Sequence, residues 1–556
     1  MKGTVEENRQ ALDRLYPRWI PATIWERFLY IADRYPKNEF VIFDHDVFTY
    51  EDVRRESLRY AKALMSLGVR AGDHVALLLT NCPEFVFLTF AAAAIGAVKI
   101  PVNPAIGRIQ LHSILSRSDA QYIVLRERLS LDPDAVPNLK SFIWIGEKLP
   151  FEDAVKTVCS VDILREAEEL PDDDIYKYAK EHGDPFSMCD ILFTSGSTSE
   201  PKGVIELHDM IMRDSFATAY TRCYEIGRRV FLPVPLYHVM AYVGGLMTCM
   251  IAAGTAVFLT KKFDVSYAVS VMKEKRINDM QCMPITIQKL LNDGNLKPGD
   301  LPDMHAAYWT NCPTWIWKKG MEVLGVTDLS NGYGMSECAS SVTMVSPEDM
   351  VGSAAHCNGR KKLGGITETD PEYGAAMEIR ICDFDTGKVL GTGKQGEIQY
   401  RGPQTTPGYY KNPEVTAASF TEDGWFRSND IGMIDHNGYL YFSGRYGDVY
   451  KINGENVSPQ FLDRVIADCP GVVAVECVGV PDPRCNAVGA AFVDVTDPET
   501  VTEEVLRAFC KEHLAKFQIP QYFFFSDSKT WPRTASNKIK KAGLRELAAE
   551  LIASKA

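Results

Sequence analysis

The chain has few of the features that mark a nucleic-acid-binding or secreted protein. Its 556 residues contain no run of Lys or Arg, and 73 acidic residues outnumber 60 basic ones, which gives a net charge of −13. A partner with a phosphate backbone is therefore not expected, because such partners bind surfaces of positive charge. The cysteines, 14 in number, are scattered without any C-x-x-C pair, so neither a zinc site nor a disulfide framework is predicted.

The sequence also has little that suggests export or a membrane span. Its first residues, MKGTVEENRQ, do not have the basic and then apolar build of a signal peptide. The one long uncharged run is Met240 to Leu259, and its glycine and threonine residues favour a buried helix, a turn and a buried strand over a membrane helix. We therefore expect a cytoplasmic protein without an integral membrane segment, in a reducing compartment.

What the chain does have is the composition and the alternation of an α/β enzyme. Hydrophobic residues make up 46% and charged residues 24%, and the chain is too long for a single core. Residues 73–103 read as strand, helix and strand, which predicts a parallel sheet. The same order returns in a strand at 189–194, an amphipathic stretch at 210–222 and a strand at 230–232. A doubly wound α/β architecture is predicted.

The predicted pattern of helices and strands changes twice towards the C-terminus. After about Tyr373, short glycine-bounded strands such as GEIQYRG and GYLYFSG indicate antiparallel or barrel-like β structure. We expect a large domain over residues 1–446, made of two parallel-type sheets wrapped by helices plus this β-rich subdomain. A small, mobile α+β domain is expected over 447–556. One of its helices should present a core stripe formed by Leu506, Cys510, Leu514 and Phe517.

A loop that follows a buried strand carries the first chemical signal. Residues 191–204 read ILFTSGSTSEPKGV, so that hydroxyls, small residues and a lysine come directly after an apolar run. Successive backbone N–H groups in such a loop can bind a polyphosphate. The Walker pattern is absent, because Lys202 follows Pro201 and precedes Gly203. Taken alone, the loop could equally be a solvated, serine-rich surface segment.

Further motifs follow this loop in a fixed order along the chain. They are PLYHV from Pro235, YGMSE from Tyr333, GWFRSNDIG with Asp430, GRYGD with Arg445, and PRTASNKIKK with Lys538. Together with TSGSTSEPKG, they resemble the signature of the adenylate-forming superfamily, which includes acyl-CoA synthetases, firefly luciferase and the adenylation domains of peptide synthetases. The resemblance covers Thr23 to Leu544, and within the family the chain is most similar to crotonobetaine/carnitine–CoA ligases.

The resemblance implies an AMP-forming acid–CoA ligase that uses ATP, Mg²⁺ and coenzyme A. A small carboxylic acid would first form an acyl-AMP with loss of pyrophosphate, and the thiol of CoA would then displace AMP. A carboxylate needs such activation because its charge repels nucleophiles. Neither step requires a protein nucleophile, so the enzyme has to position the reactants and neutralise charge on phosphate oxygens. This explains why no catalytic triad is recognisable.

The family roles fall on motif residues of this sequence. The residues expected to bind ATP and AMP are Thr194, Ser195, Gly196, Ser197, Thr198, Lys202, Tyr333, Gly334, Met335, Ser336, Glu337, Asp430, Arg445 and Lys538. Among them, Thr198 and Glu337 would hold Mg²⁺, and Tyr333 would stack on adenine. The catalytic residues would be Lys538, His238, Glu337 and Lys202. Lys540 and Lys541, which follow Lys538, are predicted to be solvated.

The acyl pocket and the second half-reaction depart from the usual family pattern. The pocket is expected to involve Tyr237, His238, Tyr242, Trp309, Thr310 and Asn311. The two large aromatic side chains, Tyr242 and Trp309, could stack on an aryl acid, face a quaternary ammonium group or belong to the core. CoA binding and domain rotation are expected to involve Gly447, Lys451, Asn453 and Gly454. Unusual residues also stand at Ser199 and Asn537, where relatives have glycine.

Two other functions compete with the ligase. A stand-alone adenylation enzyme would load a carrier-protein thiol through the same first step, and since only 18 residues follow Lys538, no fused carrier domain is expected. A non-catalytic or luciferase-like binding homologue is disfavoured, because Lys202, Glu337, Asp430 and Arg445 are all present beside Lys538. The sequence leaves the oligomeric state and the identity of the acid open.

Overall fold

The computed structural model of the chain describes residues 3–126, 136–146, 157–194, 201–292, 294, 296–310, 312, 314–349, 357–452, 455–482, 484–533 and 539–554. The helices are α1 (Val5–Leu15), α2 (Ile24–Ala32), α3 (Tyr50–Ser66), α4 (Pro83–Ala94), α5 (Arg108–Arg117), α6 (Ser160–Glu166), α7 (Asp172–His182), α8 (His208–Thr221), α9 (Val239–Ala241), α10 (Thr248–Ile251), α11 (Val265–Glu274), α12 (Pro284–Asn292), α13 (Thr314–Leu324), α14 (Ile366–Thr369), α15 (Pro413–Ala418), α16 (Pro459–Ala467), α17 (Glu503–His513) and α18 (Lys541–Ala553). A π-helix, Tyr242–Met247, joins α9 to α10.

The strands alternate with these helices through the first three hundred residues or so and then follow one another directly. They are β1 (Glu39–Phe43), β2 (Asp46–Thr49), β3 (His74–Leu78), β4 (Val98–Pro101), β5 (Tyr122–Leu125), β6 (Ser141–Trp144), β7 (Thr157–Cys159), β8 (Met188–Thr194), β9 (Lys202–Leu207), β10 (Arg229–Phe231), β11 (Thr255–Phe258), β12 (Asp279–Cys282), β13 (Ala306–Trp309), β14 (Asp328–Ser330), β15 (Gly332–Tyr333), β16 (Thr343–Met344), β17 (Arg360–Lys361), β18 (Glu378–Cys382), β19 (Gly396–Arg401), β20 (Phe426–Ile434), β21 (Leu440–Arg445), β22 (Tyr450–Ile452), β23 (Glu455–Val457), β24 (Val472–Asp482), β25 (Asn486–Val495) and β26 (Tyr522–Phe525).

Two seven-stranded sheets dominate the fold, and the predicted α/β class is confirmed. The first sheet has the order β14-β13-β12-β10-β11-β1-β2, and the second has the order β7-β6-β5-β3-β4-β8-β9. Pairing is parallel except at one edge of each sheet, where β2 and β9 run antiparallel to their neighbours. The predicted strand, helix and strand over 73–103 are β3, α4 and β4, with β3 parallel to β4.

The main core lies between these two sheets. It contains α4 and residues of α2, α3, α8 and α10, together with inward-facing residues of both sheets. Helix α4 is apolar on all sides because it is buried on all sides, from Phe85 to Ala94. Helices α2 and α3 each begin with a capping box, formed by Thr23 with Glu26 and by Thr49 with Asp52. Their first N–H groups are thereby satisfied inside a tightly packed layer.

The β-rich part and the last part of the chain form smaller sheets. Strands β18 to β21 make a four-stranded antiparallel sheet in sequence order. The C-terminal sheet has the order β23-β22-β25-β24, with β26 added beside β25 in parallel. Helices α16 and α17 supply buried residues to the core of this sheet, among them Leu462, Leu506 and Cys510.

Two local predictions need correction. The strands at 189–194 and 230–232 do not share a sheet, because β8 belongs to the second sheet and β10 to the first, so that α8 crosses from one sheet to the other. The predicted core stripe holds at Leu506 and Cys510 but not at Phe517. Helix α17 ends at His513, so Phe517 lies in a separate 3₁₀ turn and is partly exposed.

The uncharged run from Met240 to Leu259 has the structure that the sequence predicted. It begins in α9, continues through the π-helix and α10, turns at residues 252–254 and ends in the buried strand β11. None of the helices in the described ranges combines the length and the apolar character that crossing a bilayer requires.

Candidate active site

The hairpin of β8 and β9 holds both ends of the predicted phosphate loop. Thr194 and Lys202 face each other across its two strands. The loop residues between them, Ser195, Gly196, Ser197, Thr198 and Ser199, lie outside the described residues. The Lys202 ammonium lies 5.3 Å from the centre of the Tyr409 ring. Lys202 thus lies near the tyrosine whose hydroxyl binds a further group of the site.

That group is the carboxylate of Glu337, the last residue of YGMSE. The Tyr409 hydroxyl donates a 2.8 Å hydrogen bond to Glu337 Oε1, and the Thr406 N–H donates to the Glu337 carbonyl at 2.9 Å. Gly334 is required in the same segment, because a Cβ there would lie 2.1 Å from the Ser340 carbonyl oxygen. The segment is therefore folded tightly back on itself, and Glu337 and Lys202 both contact Tyr409.

The residues present fit a magnesium ion that is shared with substrate phosphates. No group of three or more His, Cys, Asp or Glu side chains able to hold a metal ion occurs in the described ranges. Glu337 Oε2 accepts no hydrogen bond from a described residue, so one oxygen of this carboxylate is available as a ligand. Mg²⁺ typically takes one or two carboxylates and completes its shell with water and phosphate oxygens. Glu337 meets that requirement.

A buried carboxylate, Asp430, is held by Tyr333, which precedes Glu337 by four residues. Asp430 and Arg445 pair across β20 and β21, with Arg445 Nε 3.3 Å from Asp430 Oδ1. The Tyr333 hydroxyl donates to Asp430 Oδ2 at 2.9 Å. Oδ1 is buried and has this ion-pair contact but no hydrogen-bond donor among the described residues. An acceptor of this kind suits the hydroxyls of a ribose.

Burial makes the Asp430 carboxyl group a weaker acid than usual. It raises the pKa of Asp430 to about 6, against the opposing effect of the Arg445 guanidinium. If the ionised carboxylate accepts the ribose hydroxyls, adenosine should bind about ten-fold more weakly at pH 5 than at pH 7.5, because only about a tenth of Asp430 is then ionised. Calorimetry with adenosine, which has no titrating phosphate, measures this dependence.

Two controls accompany this pH prediction. Asp430→Asn should bind adenosine weakly at both pH values, because the amide does not titrate in this range. Dideoxyadenosine, which lacks both ribose hydroxyls, should bind the unmodified enzyme without the pH dependence. An adenosine affinity that stays constant between pH 5 and pH 7.5 would show that Asp430 does not bind the ribose as a carboxylate.

Tyr333 lies deep in the structure rather than on an open face. It is 5% exposed, and its ring packs against Phe442 with 5.4 Å between ring centres. Its hydroxyl is used by Asp430, so in this structure Tyr333 positions the carboxylate. Stacking of Tyr333 on adenine stays a prediction.

The aromatic-His motif is held in place by an asparagine that sequence reasoning did not single out. Asn81 Oδ1 accepts a hydrogen bond from the Leu236 N–H at 2.8 Å, and Asn81 Nδ2 donates to the Val234 carbonyl at 3.1 Å. His238 caps α9 by accepting from the Met240 N–H at 3.2 Å. The signal for Asn81 was its place in the turn between β3 and α4, at the carboxyl edge of a parallel sheet, where ligand-site residues gather.

The large aromatic residues of the predicted acyl pocket do not face a common space. Trp309 is fully buried among Ile287, Leu290 and Ile316, in the core outside the first sheet. Its neighbour Tyr308 points the other way, into a small cluster with Met240 and Ala241 beside the aromatic-His motif. Successive residues of a strand alternate between the two faces of its sheet, so Tyr308 and not Trp309 lies on the site side.

Tyr242 is also a core residue. Its ring is 1% exposed and lies 3.5 Å from the Lys99 ammonium. Of the remaining predicted pocket residues, Tyr237 is partly buried next to His238, Thr310 follows β13, and Asn311 lies outside the described residues. The pocket roles of Trp309 and Tyr242 thus have no support from their packing.

The residues predicted for the second half-reaction are only partly described. Lys451 is exposed on β22, and Gly447 is exposed in the turn that follows Arg445. Asn453, Gly454, Asn537 and Lys538 lie outside the described residues. One prediction nearby was wrong, since the Lys541 side chain is only 11% exposed and pairs with Asp463 at 2.6 Å and with Glu476 at 2.7 Å.

Gly447 is not needed for the conformation that the structure shows. Its φ lies outside the left-handed region, and a Cβ there would meet nothing within 4 Å. Gly447→Ala should therefore keep the fold and both half-reactions. Gly447→Pro fixes φ, so we expect one half-reaction to fall about ten-fold or more relative to the other.

Acyl-AMP formation and its conversion to thioester, measured separately, test the role of Gly447. If Gly447→Pro and Gly447→Ala both retain the two steps, rotation about this residue is not required.

Comparison with known proteins gives matches along nearly the whole chain. The family model of the AMP-binding enzyme matches residues 28–410, and that of the AMP-binding enzyme C-terminal domain matches residues 462–538. The crotonobetaine/carnitine–CoA ligase of Escherichia coli O8 is 29% identical over 524 residues, which cover 90% of this chain and 93% of the ligase. The mitochondrial medium-chain acyl-CoA ligase of Danio rerio is 25% identical, over 93% of this chain and 86% of that protein.

Solved structures share the fold at lower identity. The anthranilate–CoA ligase AuaEII, in complex with anthranoyl-AMP, superposes with a TM-score of 0.82 and 20% identity, over 96% of this chain and 99% of that one. The o-succinylbenzoate–CoA synthetase of Bacillus subtilis, in complex with ATP and a magnesium ion, gives a TM-score of 0.77 and 23% identity, over 93% and 98% of the two chains.

Proposed function

The chain belongs to the AMP-binding enzyme family, and we propose that it is an ATP-dependent carboxylic acid–CoA ligase. The resemblance read from its motifs is confirmed, both for the superfamily and for the similarity to crotonobetaine/carnitine–CoA ligases. The curated relatives named above, a CoA ligase and an acyl-CoA ligase, support the same reaction class for this chain.

One arrangement in the structure carries the proposal. Lys202 precedes both Glu337 and Asp430 by more than a hundred residues in the chain. Two tyrosines connect the three residues in the fold. Tyr409 links Lys202 to Glu337, and Tyr333 precedes Glu337 by four residues and binds Asp430. A cation and a candidate metal-binding carboxylate thus contact the same tyrosine, and Tyr333 of the YGMSE segment holds an acceptor for ribose. These are the groups that binding of a nucleoside triphosphate requires.

The first half-reaction uses these groups. The carboxylate of the acid attacks the α-phosphorus of ATP, and the bond to pyrophosphate breaks. Lys202 neutralises the pyrophosphate that leaves, while Asp430 and Arg445 hold the ribose, each charge-assisted hydrogen bond contributing about 1.5–3 kcal/mol. Bound Mg²⁺, held by Glu337 and Thr198, would shield the charge of the phosphate oxygens. Lys538 bridges the carboxylate and the α-phosphate.

The second half-reaction uses the same acyl-AMP. The thiol of CoA attacks the acyl carbonyl, and AMP leaves with the oxygen that linked it to the acid. We propose that the chain divides into residues 1–446 and 447–556, and that the smaller part turns at Gly447 between the two steps. His238 lines the carboxylate site, and Lys451 with Asn453 and Gly454 serves the thiol.

The cytosol is the compartment that suits this chemistry. All fourteen cysteines are free thiols, as expected in a reducing environment. A small acid and CoA are the partners that the reaction requires, and the acidic balance of the chain gives no reason to add a nucleic acid.

A panel of carboxylic acids, with ATP and Mg²⁺, tests the reaction. We expect release of AMP that depends on both an acid and CoA, with formation of the acyl-CoA. Exchange of labelled pyrophosphate into ATP without any CoA product, but with loading of an added carrier protein, would favour the stand-alone adenylation enzyme. Absence of both activities with every acid would support a non-catalytic homologue.

A further inference from the structure

A buried ion pair contacts the segment that directly follows YGMSE. Asp214 is on α8 and Lys362 follows β17, and their side chains are 0% and 3% exposed. Lys362 Nζ lies 2.5 Å from Asp214 Oδ1 and 3.1 Å from Thr218 Oγ1. The Ser341 N–H donates to the same Oδ1 at 3.3 Å. The pair therefore fixes Ser341, four residues after Glu337.

Two polar atoms of this cluster are buried and have no hydrogen-bond partner among the described residues. They are Asp214 Oδ2 and the hydroxyl oxygen of Ser341. Buried polar atoms are nearly always hydrogen-bonded, since an unpaired one loses its hydration without compensation. The Asp214 and Ser341 pair thus presents a strong acceptor next to a group that can both donate and accept.

The cluster adjoins the place where the acyl group has to lie. Met344, three residues after Ser341, packs with Tyr308 and Met240 in one small cluster. Tyr308 stands at the carboxyl edge of the parallel sheet, and its hydroxyl is 3.0 Å from where a Cβ on Gly332 would lie, one residue before Tyr333. In open α/β sheets, ligands bind at this edge.

The π-helix forms a second wall of the same region. It follows His238 closely, and its Gly244 has no side chain where it meets Ser340. A Cβ on Gly244 would lie 2.9 Å from Ser340 Oγ and 3.1 Å from Gln281 Nε2. The helix, the 340–341 segment and the end of β13 therefore enclose one polar corner between the aromatic-His motif and YGMSE.

We propose that this corner is the distal end of the acyl pocket, and that Asp214 and Ser341 select a carboxylic acid carrying a hydroxyl group. Lys362 already balances the charge of Asp214, so a neutral donor fits better than an ammonium group. A hydroxyl can donate to Asp214 Oδ2 and accept from Ser341. A plain alkyl or aryl chain would leave both atoms unpaired. The inference rests on the proposed ligase function and names its substrate class.

Matched acids that differ by one hydroxyl test the selection. The pairs are benzoate with para-hydroxybenzoate, cinnamate with para-coumarate, and hexanoate with omega-hydroxyhexanoate, and the readout is kcat/KM for CoA-dependent AMP release. We expect the hydroxylated acid to be preferred about ten-fold or more in at least one pair, because a site built to bind a hydroxyl rejects the analogue without it. No preference in any pair would overturn the inference.

Two variants assign the preference to the cluster. Ser341→Ala removes one partner, and the double variant Asp214→Asn/Lys362→Met removes both charges together, which avoids an unpaired buried charge. Each should reduce the hydroxyl preference, measured as the ratio of the two kcat/KM values in a pair, to about one. A general loss of activity lowers both kcat/KM values together and leaves this ratio unchanged. A preference that both variants retain would place the hydroxyl elsewhere and overturn the inference.

The chain offers a matched control in a second buried ion pair. Lys99 and Asp190 lie 3.3 Å apart, with side chains 2% and 1% exposed. Lys99→Met/Asp190→Asn should lower the thermal midpoint as the Asp214 double variant does, yet keep the hydroxyl preference. If the enzyme turns over the acids but does not prefer the hydroxylated ones, only this inference is wrong. If no acid gives CoA-dependent AMP release, the proposed ligase function is wrong as well.

Discussion

Lys538→Ala should lower the rate of acyl-AMP synthesis about 10²–10³-fold, which is the usual cost of removing one donor that stabilises a transition state. The same variant should convert supplied acyl-AMP to acyl-CoA at nearly the rate of the unmodified enzyme. The reason is the role that we propose for Lys538, which is to neutralise charge at the α-phosphate only while the carboxylate attacks. Single-turnover assays that start from ATP and from acyl-AMP separate the two steps.

A neighbouring lysine supplies the control for this variant. Lys540 is exposed at the start of α18, whereas Lys541 pairs with Asp463 and Glu476 and would test stability instead. Lys540→Ala should leave both half-reactions unchanged. If Lys538→Ala reduces the two half-reactions equally, the alternation of two conformations is the wrong account of this enzyme.

Glu337→Gln should lower acyl-AMP synthesis by about 10²–10³-fold and raise the Mg²⁺ concentration needed for half-maximal rate. The amide keeps the size of the side chain but loses the charge that a hard cation binds. The Tyr409 hydroxyl, which donates to Glu337 Oε1 at 2.8 Å, can still donate to the amide oxygen, so the fold should be retained. Initial rates across a magnesium titration measure both effects.

Tyr409→Phe separates the metal role of Glu337 from its packing. It removes the hydrogen bond to Glu337 but leaves the carboxylate, and an effect of only about five- to ten-fold is expected from the loss of one such bond. Glu348→Gln changes a carboxylate that pairs with Arg9 outside the site, and it should change neither rate nor magnesium dependence. If the Glu337→Gln enzyme has an unaltered magnesium dependence, Glu337 does not bind the metal ion.

Helices and strands could be predicted where the sequence pattern is compatible with only one type of secondary structure. Strands β3 and β4 and helix α4 followed from the strand, helix and strand pattern of residues 73–103, and the structure of the run after Met240 followed from its glycine and threonine residues. The sheet to which β10 belongs could not be predicted, because a helix such as α8 can return to its own sheet or cross to another with a connection of the same length. Only the packing of α8 between the sheets decides it.

The site residues show a similar division. Motif order named Lys202, Glu337, Asp430 and Arg445, and the structure brings the last two together across β20 and β21. The orientation of Tyr308 and Trp309 was missed because β13 is buried on both faces, so its apolar sequence does not show which residue faces the site. Tyr409, Asn81 and Lys362 were missed because their roles depend on contacts between distant segments.

The central claim is that the acid is activated as an acyl-AMP, and an oxygen label tests it most directly. The acid from the panel that supports turnover is labelled with ¹⁸O in its carboxylate and incubated with ATP, Mg²⁺ and CoA. Attack on the α-phosphorus predicts that one labelled oxygen appears in AMP, with none in pyrophosphate. Label in inorganic phosphate, together with formation of ADP, would show an acyl phosphate and contradict the account.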